Sequence, residues 1–349
     1  MRVSNVSFPW EDNKMKFTRR SVVTTIAAFA MTIGVLSAVP AMAQEAIKLR
    51  ISTPAVESDW HAQMLTVFKD TLNSIVPGQF DVEIHLNATL FKQGTEPVAM
   101  QRGNLEMAMI SAQDIAKQIP EWSVFTAGYL IRDPAHQQAV FRGEIGKEFY
   151  GMVADKMGIQ ILDVAYLGTR QLNLRTDINV QVPEDLTGVN LRMPGSDAWQ
   201  FLGKALGANP TPMAFGEVYT SLQTGAVDGQ DNPLPTVRAA KFYEVTKQIV
   251  LTDHLVDAIF LSMAGETWNS LSDSQKSAVT AAARAATTFN NINRIAEEAS
   301  LVAFFESEGL KVYEPNRDAF RTRVQAMYLE SEFAKTWPEG IVDRVNAVD

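Results

Sequence analysis

Ile47, Leu49 and Ile51 alternate with Lys48, Arg50 and Ser52, a two-residue period that puts apolar side chains on one face of a strand. Phe80, Val82, Ile84 and Leu86 repeat the pattern. Between them Leu65, Phe68, Leu72 and Ile75 are spaced three, four and three, which lines one face of a helix. Strand, helix, strand in this order normally joins two parallel strands by a right-handed crossover, so the chain is committed to an open α/β sheet from its first elements.

The alternation continues. A short helix is expected over 97–102, a buried strand over 105–110, and another strand over 158–166. A strand over 189–193 stops at Pro194, and a helix follows through Trp199, Leu202 and Leu206. Arg192 then stands at a strand's carboxyl end, the place where open α/β sheets hold their ligands. A planar guanidinium there can take both oxygens of a carboxylate in a fork. The segment 272–308 is alanine-rich and strongly helical in propensity, with Ala278, Ala281, Ala282, Ala283, Ala285 and Ala286. It is expected to pack across both halves of the molecule.

The N-terminus predicts export. Lys14, Lys16, Arg19 and Arg20 precede an apolar run from Val22 to Val39, which closes with Ala41-Met42-Ala43, a small-x-small cleavage signal. Residues 1–43 therefore read as a removed signal peptide and the periplasm as the destination. Pro9, Glu11 and Asp12 suit no leader, which points to Met15 as an alternative start. The chain holds 31 Lys and Arg against 40 Asp and Glu. Five of the former and two of the latter lie in 1–43, so the remainder carries 26 against 38, a formal charge of −12. Such a balance disfavours nucleic acid and anionic membranes as partners, and any bound anion must be held by specific residues.

No cysteine is present, which rules out a disulfide framework and thiolate metal sites and leaves the exported fold to rest on its core. The four histidines, His61, His85, His136 and His254, include no pair at metal-ligand spacing, and the common nucleotide, hydrolase and zincin motifs are lacking. No metal, cofactor or catalytic group is expected. Asp228-Gly229-Gln230-Asp231-Asn232 has the carboxylates of a calcium loop or an acid pair but not their spacing, and Pro233 makes a turn the better reading. An enzyme using Arg192 to position an acid, with Asp228 or Glu217 as base, and a sensor that presents an acidic ligand to a signalling partner are the rivals from other classes.

Over 166–235 the chain resembles the binding subunits of tripartite ATP-independent periplasmic (TRAP) transporters, the DctP family. The residues that carry the resemblance are Gly168-Thr169-Arg170-Gln171, Pro183-Glu184-Asp185-Leu186-Thr187-Gly188, and Leu191-Arg192-Met193-Pro194. Pro212-Met213-Ala214-Phe215, Glu217-Val218-Tyr219 and Leu222-Gln223-Thr224-Gly225-Ala226-Val227-Asp228-Gly229-Gln230-Asp231-Asn232-Pro233 extend it. Weaker similarity covers 90–109 and 268–282.

The resemblance implies a two-lobed periplasmic binding protein fold, with open sheets, hinge-crossing strands and a long helix spanning both lobes. The lobes are expected at 44–167 plus 258–297 and at 168–257 plus 298–330, with a C-terminal helix over 331–349. It also implies that Arg192 pairs with a ligand carboxylate, that Arg170, Asn232 and Phe215 support it, and that a membrane permease receives the ligand. Members that bind sialic acid carry a glutamate where this chain offers Ser111 and Gln113. Lys92 or Gln93 would reach hydroxyls or a second carboxylate from another wall. A uronic or other sugar acid is the first expectation, a C4-dicarboxylate or 2-oxo acid the second. The segment 333–348 would either dimerise or cover the lobes, and a monomer is expected.

Overall fold

The computed structural model describes residues 45–349, so the expected signal peptide and the alternative start at Met15 lie outside the described residues. Among the described residues nine strands form one sheet: β1 (Ile47–Ser52), β2 (Phe80–His85), β3 (Met107–Ser111), β4 (Ile159–Leu174), β5 (Asn190–Met193), β6 (Asn209–Pro212), β7 (Gly229–Pro233), β8 (Gln248–Ala264) and β9 (Lys311–Tyr313). Their order is β2-β1-β3-β8-β4-β7-β5-β6, with β9 on β8. β1 and β2 are parallel and in register from Ile47 opposite Phe80 to Ser52 opposite His85, as the opening periodicity predicts. The helix between them, Trp60–Ile75, starts where the Asp59 side chain accepts from the His61 amide, and it buries Leu65, Phe68 and Leu72.

The two halves of the sheet are joined by β4 and β8, which pair antiparallel from Ile159 opposite Ala264 to Leu174 opposite Gln248. β4 runs eight residues beyond the expected 158–166, because Thr169, Arg170, Gln171 and Asn173 interrupt the apolar pattern that marks a buried strand. The ladder shifts register between Tyr166 and Gly168, where β7 comes close. Gly168 has φ +128°, and a Cβ added there would lie 2.3 Å from Cβ of Pro233, so no larger residue fits.

The expected helix over 272–308 is two helices. Asp273–Glu298 opens on a capping box between Ser272 and Gln275 and packs against Trp60–Ile75 and β4. It ends where Ser300 Oγ turns back onto the carbonyl of Glu297 at 2.8 Å, and Leu301–Ser307 follows. Near its end the buried Arg294 donates to Asp59 Oδ1 at 2.6 Å, to the Leu167 carbonyl at 2.5 Å and to Thr236 Oγ1. One side chain thereby ties the first helix, the middle of β4 and the helix Leu234–Ala239 together.

Two expectations are corrected. Residues 331–349 are not one helix: a single turn at Ala334–Thr336 and a short helix at Ile341–Asn346 are separated by Pro338 and by Gly340 at φ +70°. Arg132 donates to the carbonyls of Asn346 and Val348, so the tail covers the body of the protein. Nor is 228–233 a turn. Gly229–Pro233 is the buried strand β7, between β4 and β5. Its polar side chains hid the strand from pattern analysis, yet they are bonded: Gln230 Nε2 donates to Asn173 Oδ1 at 3.2 Å, and Asp231 pairs with Arg170.

Candidate functional site

β5 lies between β6 and β7, and its Leu191 and Met193 are buried in the core while Arg192 projects towards the cleft. The Arg192 side chain is 1% exposed. Its Nε and Nη2 donate to the carbonyl of Met213 at 3.0 and 2.7 Å, and Nη2 also donates to Gln93 Oε1 at 3.2 Å. Among the described residues no carboxylate forms an ion pair with it. Burial pulls its pKa down to about 9, and the charge of Arg170 adds to that effect against Asp231 and Glu217. A desolvated cation held by neutral acceptors alone is a strong attractor for an anion.

Arg170 is built differently. Nε donates to Asp257 Oδ2 at 2.7 Å, and Nη1 reaches Asp231 Oδ2 at 3.1 Å, its carbonyl at 2.8 Å and Asn232 Oδ1 at 3.3 Å. The guanidinium also lies over the Trp199 ring, 4.8 Å from its centre. Against burial, Asp231 and Asp257 hold its pKa above the ordinary value. Asn232 spends its Nδ2 on Gln230 Oε1 at 2.5 Å. Phe215 packs its ring 5.6 Å from Phe242, and its backbone N–H donates to Gln93 Oε1 at 2.8 Å.

The facing wall comes from the loop after β2 and the turn after β3. Lys92 Nζ meets Glu217 Oε1 at 2.6 Å, Ser111 Oγ donates to Asp114 Oδ2 at 2.7 Å, and Gln113 is 3% exposed. Two chambers open along this wall. The outer, about 220 Å³, is bordered by Lys92, Gln93, Lys117, Met213 and Glu217. The inner, about 40 Å³, is bordered by Gln93, Glu96, Ser111, Gln113, Arg170, Trp199 and Asp257. Gln93, Gln113 and Asp114 border both. A larger depression, about 490 Å³ beside Tyr243 and Lys311, contains none of these groups.

Of the residues singled out from sequence, Gln93, Arg192 and the Phe215 amide meet at one oxygen, while Arg170, Ser111, Gln113 and Gln93 border the inner chamber. Asn232 joins through Arg170. Sequence analysis passed over the Met213 carbonyl, Trp199 and Asp257, weighed Asp231 only as part of a calcium loop or acid pair, and gave Glu96 no role of its own. For Asp257 a signal existed: a lone carboxylate in the apolar run Leu255, Val256, Ala258, Ile259, Phe260 requires a buried partner.

Residues 51–335 match the family model of the bacterial extracellular solute-binding proteins, family 7 (DctP). A TRAP periplasmic solute-binding protein of Roseobacter denitrificans, solved with bound 3-deoxy-D-manno-oct-2-ulosonic acid, is 50% identical, with a TM-score of 0.84 over 87% of this chain and 100% of that one. A second Roseobacter denitrificans structure, with bound L-galactonate, is 29% identical at a TM-score of 0.80, covering 87% and 99%. The sialic acid-binding periplasmic protein SiaP of Vibrio cholerae is 30% identical over 93% of this chain and 99% of its own length.

Proposed function

We propose a carboxylate-capturing role for this chain from one premise: it belongs to the bacterial extracellular solute-binding proteins of family 7, DctP. It is a two-lobed solute-binding protein of the TRAP type, a family that binds substrates for transport and does not transform them. The proposal is that it captures a sugar acid and hands it unchanged to a two-part membrane permease. The observation that carries this is Arg192, a buried guanidinium bonded to a carbonyl and an amide and ion-paired to no carboxylate among the described residues. Bound acids in the related structures, an ulosonate and L-galactonate among them, support the class.

In this reading the ligand carboxylate forks onto Arg192 after Gln93 yields its place, with Phe215 as an apolar wall and Arg170 and Asn232 behind. The lobes are 44–167 plus 258–297 and 168–257 plus 298–330, hinged on β4 and β8. Contacts between Lys92 and Glu217 and between Gln93 and Arg192 favour the closed form. Cleavage after Ala43 and a monomeric state belong to the same proposal.

Thermal shift of the purified protein against sugar acids, C4-dicarboxylates, 2-oxo acids and neutral sugars tests it, because binding to the native state alone raises Tm. One acid class should stabilise the wild type and leave Arg192→Ala unmoved. A response to neutral sugars only, or an equal response from the variant, would refute Arg192 as the anchor.

A further inference from the structure

The inner chamber is bordered by two buried side-chain oxygens that have no hydrogen-bond partner among the described residues. Glu96 is 2% exposed; its Oε2 accepts from the Gly94 amide at 2.7 Å, and its Oε1 is buried without a hydrogen-bond partner among the described residues. Gln113, 3% exposed, likewise has an unpartnered Oε1. Both side chains border the same cavity, on the wall facing Arg170 and Trp199. Buried acceptors are rarely left unpaired, because each forfeits its hydration without return, so two beside one cavity point to donors supplied by a ligand.

The charges around the chamber restrict what that ligand can be. Glu96, Asp114 and Asp257 border it, against Arg170 alone among cations. Arg170 is already compensated by Asp257 and Asp231, and Lys117, at the outer chamber, pairs with Asp114 at 2.9 Å. A second ligand carboxylate entering here would meet acidic groups and no free cation, and it brings only acceptors to oxygens that need donors. A hydroxyl both donates and accepts. It therefore suits Glu96 in either protonation state, which matters because burial, reinforced by Asp114, pushes that carboxyl up to about 8.

We propose that Glu96 and Gln113 form a hydroxyl-reading subsite at the inner end of the cleft, which makes this protein select polyhydroxylated monocarboxylates over dicarboxylates. The proposal rests on Arg192 anchoring the single carboxylate at the other end. Glu96 is thereby a specificity residue, and dicarboxylates drop out as ligands.

Calorimetric titration with L-galactonate, hexanoate and adipate separates the possibilities, since these six-carbon acids differ in hydroxyls and in the second carboxylate. Wild type should prefer L-galactonate, and Glu96→Leu and Gln113→Leu should each shrink its advantage over hexanoate by about tenfold or more. Glu96→Gln, which keeps an acceptor and a donor in the same shape, should retain L-galactonate binding and its advantage over hexanoate. Equal weakening of all three acids by the leucine variants would mean that the residues only support the fold, and the subsite would be wrong. Tight adipate binding that is lost in Arg192→Ala would overturn the subsite and spare the carboxylate anchor. A wild-type protein that ignores sugar acids altogether overturns both.

Discussion

Gln93 Oε1 accepts hydrogen bonds from Arg192 Nη2 at 3.2 Å and from the Phe215 amide at 2.8 Å, so a side chain of one wall occupies the position that a carboxylate oxygen would take on the other. An amide oxygen is a weaker acceptor for a guanidinium than a carboxylate, so a ligand can displace it. In the proposed reading this contact favours the closed cleft until a ligand replaces it. Gln93→Ala should open the ligand-free protein, seen as a larger radius of gyration in small-angle scattering, while saturating ligand should bring variant and wild type to the same value.

Arg192 should be a poor contributor to stability and an indispensable one to binding. Its guanidinium pays for burial without a carboxylate in return, so Arg192→Met should leave the ligand-free Tm unchanged or raised. The same substitution should weaken acid binding by about 3 kcal/mol, on the scale measured for truncating one partner of a buried charge pair. Differential scanning calorimetry and titration of the same samples would check both halves.

Arg170 should behave in the opposite way. Removing it leaves Asp257 without its cation and Asp231 with His254 alone, both buried, so Arg170→Ala is expected to cost about 3–5 kcal/mol of stability by urea unfolding. Asp257→Asn in the Arg170→Ala background should recover part of that loss, because one of the two stranded charges is removed.

Acid sensitivity should trace in part to His61. Burial, with the charge of Arg294 adding to it, lowers its pKa from 6.5 to about 4, despite Asp59 at 3.4 Å. The unfolded chain takes up the proton first as pH falls, so His61 contributes stability that is present above about pH 6.5 and lost as pH drops towards about 4. Glu96 opposes it: with a folded pKa raised from 4.5 to about 8, its contribution is full below about 4.5 and lost as pH rises through about 8. Urea midpoints at about pH 7 and about pH 5 should therefore differ less in His61→Gln than in wild type, and Glu96→Gln should gain stability relative to wild type at about pH 8.5.

Local periodicity and motif identity already determined a great deal. The two-residue alternation of β1 and β2 and the helical spacing of Leu65, Phe68 and Leu72 specify the first β-α-β unit without reference to the rest of the chain, because each pattern is a property of a few consecutive residues. Arg192 at the end of β5 was legible for the same reason, as was the family, whose motifs include four of the candidate residues, Arg170, Arg192, Phe215 and Asn232. What tertiary structure alone decided is which charges cancel. The resemblance named Arg170 and Arg192 alike as ligand contacts, yet β7 and β8 bring Asp231 and Asp257 to the first, while no carboxylate among the described residues pairs with the second. β7 itself went unseen, since a strand of buried Gln, Asp and Asn has no apolar signature until Asn173, His254 and Arg170 arrive from β4 and β8 to satisfy it. Glu96 carried no signal of its own in the sequence, and only the packing of the short helix it opens, Glu96–Gln101, turned an ordinary glutamate into a desolvated one. Pairing of buried polar groups depends on residues distant in sequence, and that is the information a local pattern does not contain.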